Sequence, residues 1–395
     1  MNSIEGRIRE KLPTLQADRI EENLIVYPQS SEEVSSFIKL CNDEKISMVP
    51  IGSGSQIIGA DKTKVYLSMR KMNRIVELAK ADLTVSVEAG ISIKELAEAL
   101  REYNFLLPVS HHEKPNSTIG GLLARDAGGI EQYARGTIHD YLLGLEFITP
   151  TGELIKTGGK TVKNVTGYDF TRLFAKSWGT LGVIVKATFK LIPMPVEKAL
   201  FITYAASIDD LTQQMKEVLA KRYALVSFMG MSGKLLGLDE GPKYGGVFVL
   251  AGSRQAVTHQ LDSLKSLLDI KQIITGTNSV DDYLEDLLGS KASQAEIILG
   301  TDRRTLLDYL PRELDAILDN TSMDILLDGG SGLVQLTTTA NVQEVKKMLG
   351  ERLQEFNFSF SDERSPVDIL YNRIKRNLDP NRIMYPNNPR FVEVS

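Results

Sequence analysis

One cysteine and four histidines in 395 residues exclude several chemistries at the outset. The single thiol, Cys41, cannot close an internal disulfide, and a chain-borne iron–sulfur cluster needs about four ligands. The usual zinc spacings are absent, and only His111 and His112 stand side by side. No metal site is expected, so an electron carrier held by this chain should be organic. No apolar run approaches the ~18 to 20 residues of a membrane span. The start, MNSIEGRIREKLP, lacks the apolar segment of a signal peptide, which makes a cytoplasmic location the expectation. Positive charge is short as well. The net charge of −5 leaves no broad basic field for a nucleic-acid backbone, so no nucleic-acid partner is expected.

What is present is a folded chain with 42% hydrophobic and 25% charged residues, long enough for about two or three domains. Glycines cluster in the first half, at Gly52-Ser53-Gly54, Gly120-Gly121, Gly128-Gly129, Gly158-Gly159 and Gly179 to Gly182. Strands joined by tight backbone turns are the reading for that half. The spacing of Val34, Phe37, Ile38 and Cys41 predicts a helix over 31–45, capped by Ser30 or Ser31. Ser92 and Glu95 form a capping-box start for a helix to about Tyr103, with Leu96, Leu100 and Tyr103 facing inward. Hairpins are expected over 74–89 and 142–157, and a half-buried strand over 183–191.

Pro193 and Pro195 mark a boundary. Beyond them, elements at 200–205, 208–222, 224–229, 246–251 and 254–268 read strand-helix-strand-strand-helix. The order recurs at 295–300, 303–319, 324–328, 333–338 and 341–353, followed by a strand at 357–360. Two ferredoxin-like halves joined into one antiparallel sheet are the expectation. The stretch 368–391 reads as a short amphipathic helix and an extended tail that packs back on the first domain, with the basic residues at 373–376 on the helix's polar face.

Three stretches carry chemistry. In Pro50-Ile51-Gly52-Ser53-Gly54-Ser55-Gln56, glycine lets a ligand approach successive N–H groups, an arrangement suited to a pyrophosphate; an ordinary surface turn is the alternative. The spacing does not match the G-x-G-x-x-G fingerprint. In Pro108 to Gly129, Ser117 and Thr118 can cap a helix whose first turn, at Ile119, Gly120 and Gly121, would offer free N–H groups to an anion. In Lys160 to Ile184, Gly179, Gly182, Val183 and Ile184 allow close approach to a flat ring, and Lys160 and Lys163 could neutralise charge.

Together these stretches resemble the FAD-binding domain of the vanillyl-alcohol oxidase type, also called PCMH-type. The motifs are the proline-led glycine loop, Thr118-Ile119-Gly120-Gly121 with Ala127-Gly128-Gly129, Arg135-Gly136-Thr137-Ile138-His139-Asp140, Thr166-Gly167-Tyr168-Asp169 and Gly179-Thr180-Leu181-Gly182-Val183-Ile184. Ile374-Lys375, Asp379-Pro380 and Pro386 resemble the family's C-terminal segment, with Tyr385 where Asn is usual. The likeness covers about 24–195 and 366–391.

The resemblance implies an α+β protein: a two-part FAD-binding domain over 1–195, an antiparallel-sheet cap over 196–365, and a segment over 366–395 returning to the first domain. Gly52 to Gln56 would hold the FAD pyrophosphate. Pro108, Ser117, Thr118, Ile119, Gly120, Gly121, Ala124, Arg125, Gly128, Gly129 and Gly136 would lie along the flavin and its ribityl chain. Gly182, Val183 and Ile184 would meet the cofactor across the cleft. Some family members attach FAD to a histidine in the first loop; Ser55 or Gln56 stands there, implying non-covalent FAD.

Within the family the likeness runs to FAD-binding subunits of glycolate-oxidising complexes. It implies two partners, a larger FAD-containing catalytic subunit and an iron–sulfur subunit. The histidine-bearing stretch of the family's 2-hydroxyacid dehydrogenases is matched here by Asp328-Gly329-Gly330-Ser331-Gly332-Leu333-Val334, without histidine. A neutral imidazole is the usual base near pH 7. An electron-relaying subunit is therefore the expectation. The alternatives are a self-sufficient dehydrogenase with His111, His112 or Tyr168 as base, and a scaffold without flavin chemistry.

Overall fold

The computed structural model describes residues 4–20, 22–54, 64–109, 115–159, 173–174, 177–238, 242–289, 297–309, 314, 323–338, 341–352, 358–360 and 374–384. The chain opens with helix α1 (Ile4–Lys11), the hairpin β1 (Gln16–Ile20) and β2 (Asn23–Tyr27), helix α2 (Ser31–Glu44), and strands β3 (Met48–Ile51) and β4 (Val65–Ser68). Ser30 caps α2 by accepting the Glu33 N–H, and the face carrying Val34, Phe37, Ile38 and Cys41 is fully buried. These strands form one sheet in the order β1-β2-β4-β3, with β3 and β4 parallel.

A second layer follows: β5 (Ile75–Ala79), β6 (Thr84–Glu88), α3 (Ile93–Arg101), β7 (Phe105–Leu106), α4 (Ile119–Arg125), α5 (Gln132–Arg135), β8 (Leu142–Ile148), β9 (Leu154–Gly158), β10 (Val183–Lys190) and β11 (Ile192–Pro193). Its five-stranded sheet runs β5-β6-β10-β8-β9. The capping box at Ser92 and Glu95 is formed in full. The helix it starts ends at Arg101, however, and Tyr103 does not turn inward. Its ring is 39% exposed and lies under the Lys80 ammonium at 3.7 Å, a cation–π contact that suits an amphipathic ring at a surface.

The remaining elements are β12 (Glu197–Ala205), α6 (Ile208–Ala220), β13 (Leu225–Ser232), β14 (Tyr244–Gly252), α7 (Arg254–Lys265), β15 (Ile270–Thr275), α8 (Thr277–Gly289), β16 (Ile297–Thr301), β17 (Met323–Asp328), β18 (Leu333–Thr338), α9 (Val342–Arg352) and β19 (Phe358–Phe360). All eight strands join one sheet, in the order β15-β12-β14-β13-β17-β18-β16-β19. Each set of four runs fourth, first, third, second, the ferredoxin-like order. The two sets meet where β13 pairs antiparallel with β17, Met229 opposite Asp328. Strand β15 and helix α8 complete the first half and were not among the expected elements. Strand β15 is an edge strand with mostly exposed side chains, so it lacks the alternation that announces a strand.

One face of this sheet packs on α6 and α7 through Phe201, Phe228 and Phe248. The other buries Leu200, Met229 and Val247 against α8 and against Ile130, which precedes α5. The eight-stranded sheet thus shares a core cluster with Ile130 of the preceding elements.

Candidate functional site

Three glycine-bearing stretches, far apart in sequence, wall one cleft. Strand β3 ends at Pro50-Ile51 and turns at Gly52-Ser53-Gly54, with Gly54 in the left-handed region. A Cβ on Gly52 would lie 2.0 Å from Thr118 Oγ1, so only glycine lets this turn lie against the start of α4. On the far side, Trp178 and Gly179 both have positive φ, and the Trp178 N–H donates to Ala124 O at 3.0 Å. A Cβ on Gly179 would sit 3.3 Å from the Pro50 ring. Gly182 is pressed against Ile148 O and the Phe174 ring, and the chain then enters β10 through Val183 and Ile184.

Thr118 caps α4, its Oγ1 accepting the Gly121 N–H at 3.3 Å. The Ile119 N–H donates to Ile91 O and the Gly120 N–H to Ala89 O. This corrects the expectation of free first-turn amides: all three are spent within the protein, which ties α4 to the end of β6. Gly120 is small because Ala89 faces it: a Cβ there would fall 2.9 Å from the Ala89 methyl. Gly121 differs. Among the described residues, its Cβ would meet only Thr118 Oγ1 within 4 Å.

The cleft between these walls has about 860 Å³ of atom-free space, its open mouth included. That is ample for a cofactor-sized ligand. Its described lining includes Pro50 to Gly54, Ser117, Thr118, Gly120, Gly121, Ala124, Arg125, Gly182, Val183 and Ile184, all expected from the sequence. Pro108, Ile119, Gly128, Gly129 and Gly136 do not line it. Ile119 is fully buried in the core. Gly128 packs against the Gln132 side chain, and Gly129 and Gly136 take positive φ in the turns flanking α5. Those glycines serve the fold. Ser55, Gln56, His111, His112, Lys160, Lys163 and Tyr168 lie outside the described residues.

Met69, Ala89 and Trp178 also line the cleft and escaped sequence reading. Trp178 had a signal, because it precedes the Gly179 to Gly182 motif; Met69 and Ala89 arrive through sheet packing alone.

The wall is almost neutral. Arg125 is the one charged side chain among the described lining residues, and its Nε donates to Gly121 O at 3.3 Å. Ser117 is 4% exposed, and its hydroxyl has no hydrogen-bond partner among the described residues. A buried orphan hydroxyl on a cleft wall is suited to bonding a polar ligand atom. Glycine-lined walls, one cation and one orphan hydroxyl fit an anionic dinucleotide carrying a flat ring.

The Asp328 turn between β17 and β18 is closed on itself. Asp328 Oδ1 accepts the Gly330 and Ser331 N–H groups, and Oδ2 accepts the Ser331 hydroxyl. Burial pushes the Asp328 carboxyl above its ordinary value, against these hydrogen bonds. The described histidines, His139 and His259, do not line the cleft. Lys375, expected on a polar helix face, is instead buried beside Thr180.

Comparison with known proteins agrees with this geometry. The family model for the FAD binding domain matches residues 23–158. The chain is 32% identical over 201 residues to glycolate oxidase subunit GlcD of Bacillus subtilis, covering 50% of this chain and 43% of that protein. It is 36% identical over 191 residues to the mitochondrial D-lactate dehydrogenase [cytochrome] of Arabidopsis thaliana, covering 48% and 33%. These matches span less than half the length of those relatives. A D-2-hydroxyglutarate dehydrogenase of Stutzerimonas stutzeri matches at 25% identity over 92% of this chain and 89% of its own. Among solved structures, an alkyldihydroxyacetonephosphate synthase superposes with a TM-score of 0.71 at 19% identity, covering 92% of this chain and 76% of that one; this likeness concerns the fold. Among the described residues, no helix is long and apolar enough to cross a membrane.

Proposed function

We propose that the chain, whose residues 23–158 match the FAD binding domain model, is an FAD-dependent oxidoreductase of the vanillyl-alcohol oxidase type acting as one subunit of a complex that oxidises a small 2-hydroxy acid, glycolate or lactate. Bound FAD supplies hydride or electron transfer, and the protein supplies position and electrostatics. Gly52 to Gln56 hold the pyrophosphate without a covalent link. Ser117, Thr118, Gly121, Ala124 and Arg125 face the cofactor from α4, and Gly182 to Ile184 from β10. Relatives named for glycolate oxidase, D-lactate dehydrogenase and D-2-hydroxyglutarate dehydrogenase support the substrate class.

The observation that carries the subunit role is the state of the cap turn. Asp328 is committed to its own turn amides and to Ser331, and no histidine stands between Asp328 and Val334. That turn offers no base for a hydroxyl proton. In this reading the chain relays electrons between a larger catalytic flavoprotein and an iron–sulfur subunit, since one cysteine cannot hold a cluster here.

A second reading, a self-sufficient dehydrogenase, draws on the full-length match to the D-2-hydroxyglutarate dehydrogenase. Anaerobic addition of glycolate or D-lactate to the purified, FAD-loaded chain separates the two. The relay reading expects the yellow absorbance to persist until the partner subunits are supplied. Bleaching of the isolated chain overturns it in favour of the second. A folded chain that cannot be loaded with FAD defeats both.

A further inference from the structure

A mostly buried ammonium, its side chain 12% exposed, ties the two opposing walls of the cleft together from behind. Lys375 lies in a helical turn at 374–378, close to the end of the described chain. Its Nζ donates to Thr180 O at 2.8 Å, to Met384 O at 2.6 Å and to Asp379 Oδ2 at 3.2 Å. An ammonium has three protons to donate, and here each has a taker.

The takers lead to different walls. Thr180 is fully buried between Gly179 and Gly182, in the turn that forms one side of the cleft. Met384 leads to the other side. It bridges to Met48 in parallel, and the Met48 N–H donates to Ile383 O at 2.7 Å. Met48 begins β3, which runs straight into Pro50 to Gly54. Asp379 holds the return: its carboxylate, without exposed surface, accepts the Ile383 and Met384 N–H groups at 3.0 Å each. Where the walls meet, Gly179 faces the Pro50 ring.

We propose that Lys375, locked by Asp379, is a positioning residue for the cofactor: it fixes the spacing of the 177–182 turn and the 50–54 turn, and so presents a cleft already shaped for FAD. This rests on the FAD reading above. Pre-organisation raises affinity by removing ordering costs that binding would otherwise incur. The alternative is an anchor that only fastens the C-terminal segment. Burial pulls the Lys375 ammonium below the ordinary lysine value, while Asp379 pulls it back only in part. The charge is therefore held at a cost, which a plain anchor made of apolar side chains would avoid.

The test compares wild type, Lys375→Met, Lys375→Arg and Asp379→Asn as full chains. FAD affinity and release rate are read by flavin fluorescence, and apoprotein folding by circular dichroism and thermal melting. The brace predicts that folded Lys375→Met apoprotein binds FAD roughly tenfold more weakly or worse, with faster release. Lys375→Arg, which keeps the charge, falls between it and wild type. A lowered melting temperature with unchanged FAD affinity and release in the folded apoprotein identifies a plain anchor and overturns the proposal. If Lys375→Met does not fold, unchanged FAD release in both Lys375→Arg and Asp379→Asn overturns it equally. Folded wild-type apoprotein that takes up no FAD overturns the FAD reading itself, and the brace with it.

Discussion

Lys198, at the start of the cap sheet, places its ammonium 2.8 Å from Glu131 of the first half and 2.8 Å from Asp281 of α8. The Lys198 and Glu131 side chains are each only 6% exposed. Arg135 pairs with Glu131, and Arg101 reaches Asp281 at 3.5 Å, so a chain of five charges links the eight-stranded sheet and α8 to α3 and α5. Removing Lys198 leaves two buried carboxylates with one arginine each and no central cation, at up to about 3–5 kcal/mol. Lys198→Met should therefore lower the melting temperature sharply. Adding Glu131→Gln and Asp281→Asn to it should recover part of the loss, the remainder reflecting Arg135 and Arg101 left without their carboxylates. Burial works to lower the Lys198 value, but Glu131 and Asp281 outweigh it and hold the ammonium above its ordinary 10.5. A raised lysine lends stability in full below 10.5 and loses it as pH climbs through the raised value. Alkaline melts of wild type and the triple variant should converge there. A Lys198→Met protein as stable as wild type at pH 7 would contradict this account.

Glycines of the cleft divide into those that pack and those that leave room. A methyl at Gly182 would stand 2.7 Å from Ile148 O, a backbone atom with nowhere to go. Gly182→Ala should cost about 1–3 kcal/mol of apoprotein stability. Among the described residues, a methyl at Gly121 would touch only Thr118 Oγ1, at 3.2 Å, and otherwise enter the cleft. Gly121→Ala should leave the apoprotein melt near wild type, because alanine favours the helix, while weakening FAD binding. Equal FAD affinity in Gly121→Ala and wild type would show that the ligand lies elsewhere.

Much of this was legible because the relevant signals are local. Ser30, Ser92 and Thr118 each announced a helix start, and each accepts the amide expected of a cap. The repeated strand-helix-strand-strand-helix order was enough to foresee two ferredoxin-like halves in one antiparallel sheet, with seven of its eight strands. What stayed hidden depends on distant partners. Nothing near Gly120 says that its N–H goes to Ala89 O. The burial of Lys375 is decided by Thr180, 195 residues away. Strand β15 gains its place from pairing with β12, its own side chains being mostly exposed.

The Asp328 turn makes a prediction about acid and neutral pH. Burial raises this carboxyl, so its ionised form is disfavoured in the folded state. A carboxyl raised on folding leaves stability whole below its ordinary 3.8 and costs stability as pH rises through the raised value. Asparagine can still accept the Gly330 N–H and can donate to Ser331 Oγ. Asp328→Asn should thus melt higher than wild type at pH 7, and the gap should close in acid. A gap independent of pH, or a lower melt at pH 7, would mean that the charge itself holds the turn.

Ser117 offers the sharpest separation of ligand from fold. Its hydroxyl is buried on the cleft wall with no partner among the described residues. An unsatisfied buried hydroxyl costs the apoprotein about 1–3 kcal/mol, and that cost is relieved when the hydroxyl or its partner is bonded. Deleting the hydroxyl in Ser117→Ala should leave the apoprotein at least as stable as wild type. If the orphan bonds to FAD, the same change should weaken FAD binding by roughly two- to tenfold, the worth of one hydrogen bond. Calorimetry of the apoprotein and fluorescence titration with FAD read the two effects separately. Opposite signs in the two measurements place the hydroxyl against the ligand; a destabilised apoprotein with wild-type affinity would instead assign Ser117 to the fold.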